Sequence, residues 1–388
     1  MSRKRLAGTV RGSSGEVADA DLARFGITTT PVSRPGRLRR LASGLWWVVQ
    51  FLRGELRSEA RLSLRHTLRA WSLGFSRWTY ALFELDRNDP RLYVTDRNQV
   101  RALARVNGVH RPPVGHKLIF SRYVESLGVP CPAIWAVVVK GRIHVLNESA
   151  PAAGWPWLRA YVAENANGVV LKPIVGAEGL GIAFLRKSGP VYELNGRAAT
   201  EAEVMAVVAR LDDYLVTDFV VQHEYSVRLY PRTTNTIRLL TLWSDETESP
   251  FLAAAVHRIG TARSYPVDNF RIGAGGMSAR IDLATGRLGR AACRSEAGVV
   301  ERYERHPETG DRIEGVCIPG WVETTRKVLA FAARLPFLPF IGWDLVVTPD
   351  GYKVVEINAG SGFYVVQVHH PLLEDPRVRR FFEAHGLV

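Results

Sequence analysis

The chain has 388 residues, 46% of them hydrophobic and 23% charged, with a formal net charge of +13. That length allows two or three domains and a large core, and the ordinary composition excludes a collagen-like, disordered or disulfide-framed protein. The three cysteines, Cys131, Cys293 and Cys317, form no CxxC pair, which excludes zinc-site spacing and fits a reducing compartment, with the cytoplasm as the expected location.

The positive charge is unevenly placed. Residues 1–117 hold 22 Lys+Arg against 9 Asp+Glu, whereas residues 118–388 hold 29 of each. Such an excess is either a solvated surface or a contact for an anionic membrane, an acidic glycan or nucleic acid, and nucleic acid is the least favoured. Residues 1–37 mix Gly, Ser, Pro and Arg without period, which predicts a mobile basic tail. Leu6–Val10 is too short for a signal-peptide core, and no run reaches the roughly 18 apolar residues of a membrane-spanning helix. Residues 38–115 read as a helical N-terminal region. Helical pattern runs from Leu38 to about Leu85. Leu41, Leu45, Val48, Val49 and Leu52 form a stripe beside Trp46 and Trp47, continued less regularly by Leu62, Leu64, Leu68, Trp71, Leu73 and Phe75. This Trp- and Arg-rich segment either packs on its own domain or lies on a membrane surface.

Asn88-Asp89-Pro90 breaks that pattern, and Asp96 is the expected cap of a short helix reaching Val106. Lys117–Leu127 reads as an amphipathic helix closed by Gly128-Val129-Pro130. Thr200 with Glu203 has capping-box spacing and opens a helix to Leu211. Strands are predicted at 168–173, 182–186, 214–221, 236–243, 252–258, 342–348 and 352–358.

In the stretch 168–182, a strand carrying Lys172 leads into a loop with Gly176, Gly179 and Gly181, and a second strand follows. Glycines let backbone N–H groups approach a ligand, and the lysine supplies a point charge for phosphate. No helix follows and the spacing is neither GxxxxGK[ST] nor GxGxxG, so the P-loop and the Rossmann fingerprint are excluded. A plain turn is the alternative to a phosphate-covering flap.

The most informative stretch is Ile341–Asn358. Two β-rich runs flank Pro349-Asp350-Gly351, a strong turn signal. If the hairpin centres on Asp350, Asp344 lies opposite Glu356, since (344 + 356)/2 = 350, and Asn358 shares their face. Two carboxylates held together repel unless a proton or a cation intervenes. With an amide carbonyl they make an all-oxygen set suited to Mg²⁺ or Mn²⁺, whose shell is usually completed by water and phosphate. A bulge would spoil this pairing, and a solvent-facing polar strand is the alternative.

Taken in order, a lysine at a helix start, a lysine before a glycine-rich hairpin, a hinge strand, arginine-bearing strands and a D…ExN hairpin resemble the ATP-grasp enzymes. More narrowly, residues 85–388 resemble the sugar-transfer-associated ATP-grasp family through Gln222-His223, Tyr230-Pro231, Asn235-Thr-Ile-Arg238, Val267-Asp-Asn269, Gly275-Gly276, His306-Pro307, Thr309-Gly310, Ile318-Pro319 and Gly342-Trp-Asp344 through Asn358. The resemblance implies an α+β, ATP-grasp fold, with lobes at 116–218 and 219–388 gripping ATP and the basic, largely helical region in front. It implies that Lys117 and Lys172 contact phosphates and that Gly176–Gly181 close over them. Asp218 and the Val220 backbone would face adenine, with Gln222 near the ribose. Asp344, Glu356 and Asn358 would hold Mg²⁺, and Arg258, with Arg238 as second candidate, would steady the transferred phosphoryl group. Asp218 stands where glutamate is commoner, which leaves the adenine contact open, and the acceptor pocket has no readable motif. The implied reaction is ATP-dependent joining of a carboxylate to an amine through an acylphosphate, in surface-polysaccharide or related biosynthesis. A phosphotransferase with a hydroxyl acceptor and a non-catalytic basic module on the same shell are the alternatives. Peripheral contact at the inner membrane surface is compatible with the basic first third.

Overall fold

The computed structural model describes residues 55, 62–99, 106–146, 153–176, 179–270, 275–294 and 299–388. The basic tail, the Leu41–Leu52 stripe and residues 100–105 of the short helix expected to reach Val106 lie outside the described residues. The chain divides into two compact units, and it passes from the first to the second between Phe219 and Val220.

The first unit spans residues 133–219 among those described. Its strands are β1 (Ile134–Val139), β2 (Arg142–Val145), β3 (Val169–Pro173), β4 (Ala183–Ser188), β5 (Val191–Leu194), β6 (Arg197–Ala199) and β7 (Tyr214–Asp218). They form one antiparallel sheet ordered β2-β1-β7-β3-β4-β5-β6. Alternation in β1 and β3 turns Ala136, Val138, Val169 and Leu171 inward, where Leu158 and Val162 of helix Gly154–Glu164 and Val204 and Val208 of helix Glu201–Val208 cover them. Thr200 and Glu203 form the expected capping box. The hinge strand is shorter than its apolar run: β7 ends at Asp218, and residues 219–221 leave the ladder.

The second unit carries β8 (Ile237–Ser244), β9 (Ser249–Ile259), β10 (Met277–Ile281), β11 (Leu288–Arg294), β12 (Val300–Tyr303), β13 (Phe340–Thr348) and β14 (Gly351–Asn358). Their antiparallel order is β12-β11-β10-β9-β8-β13-β14. Central β13 is buried along almost its whole length, because both faces of the sheet are covered. On one face Leu239, Ala255, Trp343 and Leu345 pack with helices Lys117–Ser126 and Trp321–Ala332. On the other, Leu240, Leu242, Val256 and Phe340 meet Phe75, Tyr80 and Leu82 from early in the chain and Phe363, Val378 and Phe382 from its end. Gln367 clamps those two distant segments, accepting from Val94 N at 2.8 Å and donating to Val94 O at 3.0 Å.

Within residues 62–85, the expected helical region holds two helices. Helix Leu64–Ser72 and helix Arg77–Leu82 are separated at Gly74, which has φ 85°, a conformation open to glycine. Asp96 is not a cap. Thr95 Oγ1 accepts from Asn98 N at 3.1 Å, while the Asp96 carboxylate accepts from Ser76 N at 2.6 Å.

Candidate active site

The site is built around the β13–β14 hairpin of the second unit. Asp344 lies opposite Glu356, and Gly342 opposite Asn358. The route to that register differs from the sequence reading. The turn occupies only Pro349 and Asp350, since Thr348 already pairs with Gly351. That closure alone would set Asp344 against Val355. A bulge between Asp344 and Leu345 inserts Val355 as the extra residue and restores the Asp344–Glu356 pairing. The bulge thus makes the pairing, where a bulge was expected to spoil it.

Alternation along β8, β9 and β13 brings Arg238, Arg258 and Asp344 to the same face as Leu240, Val256 and Phe340. Arg238 and Asp344 are direct cross-strand partners. Arg238 grips both carboxylate oxygens, with Nε on Oδ1 and an NH2 contact to Oδ2 at 2.9 Å. Arg258 adds a bond to Oδ2 at 3.0 Å. Asp344 is only 2% exposed, and burial pushes its carboxyl up. The two arginines outweigh that penalty and hold it below the usual carboxylate range. For Arg258, burial works against the charge, but Asp268, Asp344 and Glu356 overcome it and raise its pKa.

Neighbours that the sequence did not assign to this site fix both guanidinium groups. Asp268 Oδ2 accepts from Thr236 N at 2.7 Å and lies 3.6 Å from Arg258 Nε. Thr236 Oγ1 accepts from Arg258 Nε at 2.9 Å. Ser361 Oγ accepts from Arg238 at 3.1 Å. Ser361 sits where a Cβ on residue 342 would go, 1.7 Å from that position, so only glycine allows the approach. Asp268 and Thr236 belong to stretches visible in the sequence, but their pairing spans strands whose order the sequence did not reveal.

Lys117, at the start of its helix, pairs with Glu356 at 3.2 Å. Glu356 is more open than Asp344, with 26% of its side chain exposed against 3%. The buried Nδ2 of Asn358 has no hydrogen-bond partner among the described residues. Among the described residues, three carboxylates (Asp268, Asp344, Glu356) therefore face three cations (Lys117, Arg238, Arg258). Beside the Lys117–Glu356 pair, Val114, Phe120, Val124 and Cys131 line a small hollow of about 20 Å³.

The other expected residues fall as follows. Lys172 lies on β3 opposite Leu215, half-buried. Gly179 and Gly181 have φ 67° and 76°, which fits glycine there, and Gly176 is exposed. Residues 177–178 between them lie outside the described residues. Asp218 ends β7, and its Oδ1 accepts from Trp135 Nε1 at 2.7 Å and Tyr161 OH at 2.8 Å. Val220 is buried. Gln222 is committed to the fold. Its amide donates to Thr233 O at 2.8 Å and accepts from Ser226 Oγ and Asn235 N at 2.8 and 3.0 Å. The amide oxygen is thus filled from within the fold, and the second N–H of Nε2 is the group that a ribose would meet.

The profile of the sugar-transfer associated ATP-grasp family matches residues 103–375. The chain belongs to that family, and its fold is the α+β ATP-grasp fold. Among solved structures, an ADP complex of N5-carboxyaminoimidazole ribonucleotide synthetase aligns with 13% identity and a TM-score of 0.34, over 65% of this chain and 46% of that one. The ATP-grasp ligase PsnB complexed with minimal precursor gives 14% and 0.32, over 66% and 57%. D-alanyl-alanine synthetase A from Vibrio cholerae O1 biovar eltor str. N16961 gives 8% and 0.37, over 74% and 67%. The chain thus spans about half the length of the first two, and likenesses this distant carry no weight beside the family match. No curated protein matches the chain.

Proposed function

We propose that the chain is an ATP-dependent ligase that joins a carboxylate to an amine. The observation that carries this reading is the charge set among the described residues: Asp344 between Arg238 and Arg258 on one sheet face, and Glu356 against Lys117, which belongs to a helix packed on the other. Three cations balance three carboxylates, so a divalent ion alone gains little there. A triphosphate with its metal offers each group a new partner. The cations can turn to phosphate oxygens while Asp344, Glu356 and Asn358 turn to the ion. The residues fit Mg²⁺ or Mn²⁺: two carboxylates share a face with an amide whose buried nitrogen is unpartnered, and a half-turn of that amide presents its oxygen. When bound, the ion would neutralise charge on the phosphates.

A substrate carboxylate oxygen attacks the γ-phosphorus of ATP, the bond to ADP breaks, and an acylphosphate forms. An amine then attacks the acyl carbon, the carbon–oxygen bond breaks, and phosphate leaves as the amine sheds a proton. Arg258 and Arg238 steady charge on the moving phosphoryl group. Lys172 and the flap glycines keep the phosphate role assigned from the sequence. The family's name supports a place in surface-polysaccharide assembly. The test is an ATP-consumption screen against paired sugar acids and amino acids, with ADP, AMP and phosphate measured separately. Amine-dependent release of ADP and phosphate supports the ligase. ADP without free phosphate, with a phosphorylated alcohol as product, replaces it with a phosphotransferase.

A further inference from the structure

A surface helix normally turns its large apolar side chains toward its own protein. Helix Leu64–Ser72 does the reverse. Its buried residues are Thr67 and Ala70, while Leu64 is 75%, Leu68 55% and Trp71 43% exposed. At about 100° per residue these three fall within a sector of roughly 60°. Arg65 and Arg69, both exposed, lie along the stripe's far edge from Thr67 and Ala70, and the helix contains no acidic residue. Thr67 and Ala70 seat the helix and Trp71 Nε1 donates to Glu55 Oε2 at 3.0 Å, so Leu64, Leu68 and the exposed part of the Trp71 ring are spare apolar surface with cations beside it.

We propose that this stripe docks on an anionic lipid surface, with Leu64, Leu68 and Trp71 at the acyl boundary and Arg65 and Arg69 among the headgroups. Charge selects this occupant. All of the chain's net charge of +13 lies in residues 1–117, which hold 22 Lys+Arg against 9 Asp+Glu. A second copy would bring the same positive charge to the contact. Nucleic acid or an acidic glycan takes the arginines but gives the leucines little apolar surface to displace water. An anionic bilayer meets both demands, and tryptophan suits its boundary. The proposal does not depend on the ligase reading.

The test is co-sedimentation of the full chain with phosphatidylserine/phosphatidylcholine vesicles, with pure phosphatidylcholine vesicles, and with duplex DNA as competitor. The wild type should partition onto the anionic vesicles, weaken with salt and resist the competitor. The variant Leu64→Asp/Leu68→Asp should lose roughly tenfold or more in partition with an unchanged melting temperature. No partition by the wild type, equal partition by the variant, or displacement of vesicles by DNA overturns the proposal. A marked fall in the variant's melting temperature also overturns it, because the stripe would then be covered by protein.

Discussion

Replacing Asp344 by Asn tests the core of the site. The substitution keeps shape and removes one buried charge. Asp344 takes three charge-assisted bonds, two from Arg238 and one from Arg258, and it is 2% exposed. Asn retains one acceptor oxygen and leaves two buried guanidinium groups facing its NH₂. Removing one partner of a buried ion pair costs about 3–5 kcal/mol. At about 2–3 °C per kcal/mol for a unit of this size, the midpoint should fall by roughly 6–15 °C. Glu356→Gln is the control. Its pair with Lys117 is partly solvated, so the expected cost is about 1 kcal/mol or less. Both variants should lose turnover, and Mg-ATP should raise the midpoint of the wild type alone. The assay is urea and thermal unfolding with and without nucleotide. If Asp344→Asn unfolds within about 1 kcal/mol of the wild type, the arginine clamp does not form and the charge argument fails with it.

Mg²⁺ without nucleotide should bind only weakly, because cations already match carboxylates one for one; micromolar binding in calorimetry would contradict this. Lys172→Ala should weaken ATP binding while leaving the apo melting point in place, and Gly179→Val should weaken it too, by straining the loop that φ 67° reserves for glycine; unchanged affinity in both would make the loop an ordinary turn. Burial lowers His257 to about 4, His369 to about 3 and His370 to about 4. Folding therefore favours the neutral rings, so their stability is full above the unfolded value near 6.5 and is lost as pH falls from there toward 4. His257→Gln should flatten its share of that decline in unfolding measured from pH 7 to 4. Gly342→Ala should cost about 1–3 kcal/mol, because its methyl group would occupy the Ser361 Oγ position 1.7 Å away; a second change, Ser361→Gly, should recover most of the loss in a thermal melt.

The D-turn-E-x-N hairpin was legible because turn chemistry and alternation are local. Even there two offsets cancelled. The turn centre lay half a residue earlier than assumed, and the Val355 bulge moved the register back. The bulge breaks the inward alternation of Tyr352, Val354 and Ile357, but a valine at 355 hides that break in the sequence. The arginine partners were nameable but not assignable, since Arg238, Arg258 and Asp344 meet only through the order β9-β8-β13. Gln222 shows the converse: a polar residue beside a hinge reads as a ligand contact, and nothing local in the sequence shows that its amide also bonds Ser226, Thr233 and Asn235. The outward stripe at Leu64 and Leu68 was visible as an apolar pattern, but a pattern alone cannot say which way a helix faces.

The core shared by early and late segments sets a timetable for synthesis. Phe75, Tyr80 and Leu82 pack against Phe363, Val378 and Phe382, and Gln367 is the bonding partner of Val94, 273 positions earlier. At about 5–20 residues per second, the early aromatic residues leave the ribosome tens of seconds before the late ones they need. The first unit holds its own core within residues 133–219 and can close while translation continues. The arginine clamp cannot settle until β13 has emerged. Nascent chains therefore carry an exposed apolar surface for most of their synthesis, so slow decoding of the last hundred codons should cost yield through aggregation more than the same delay near the start.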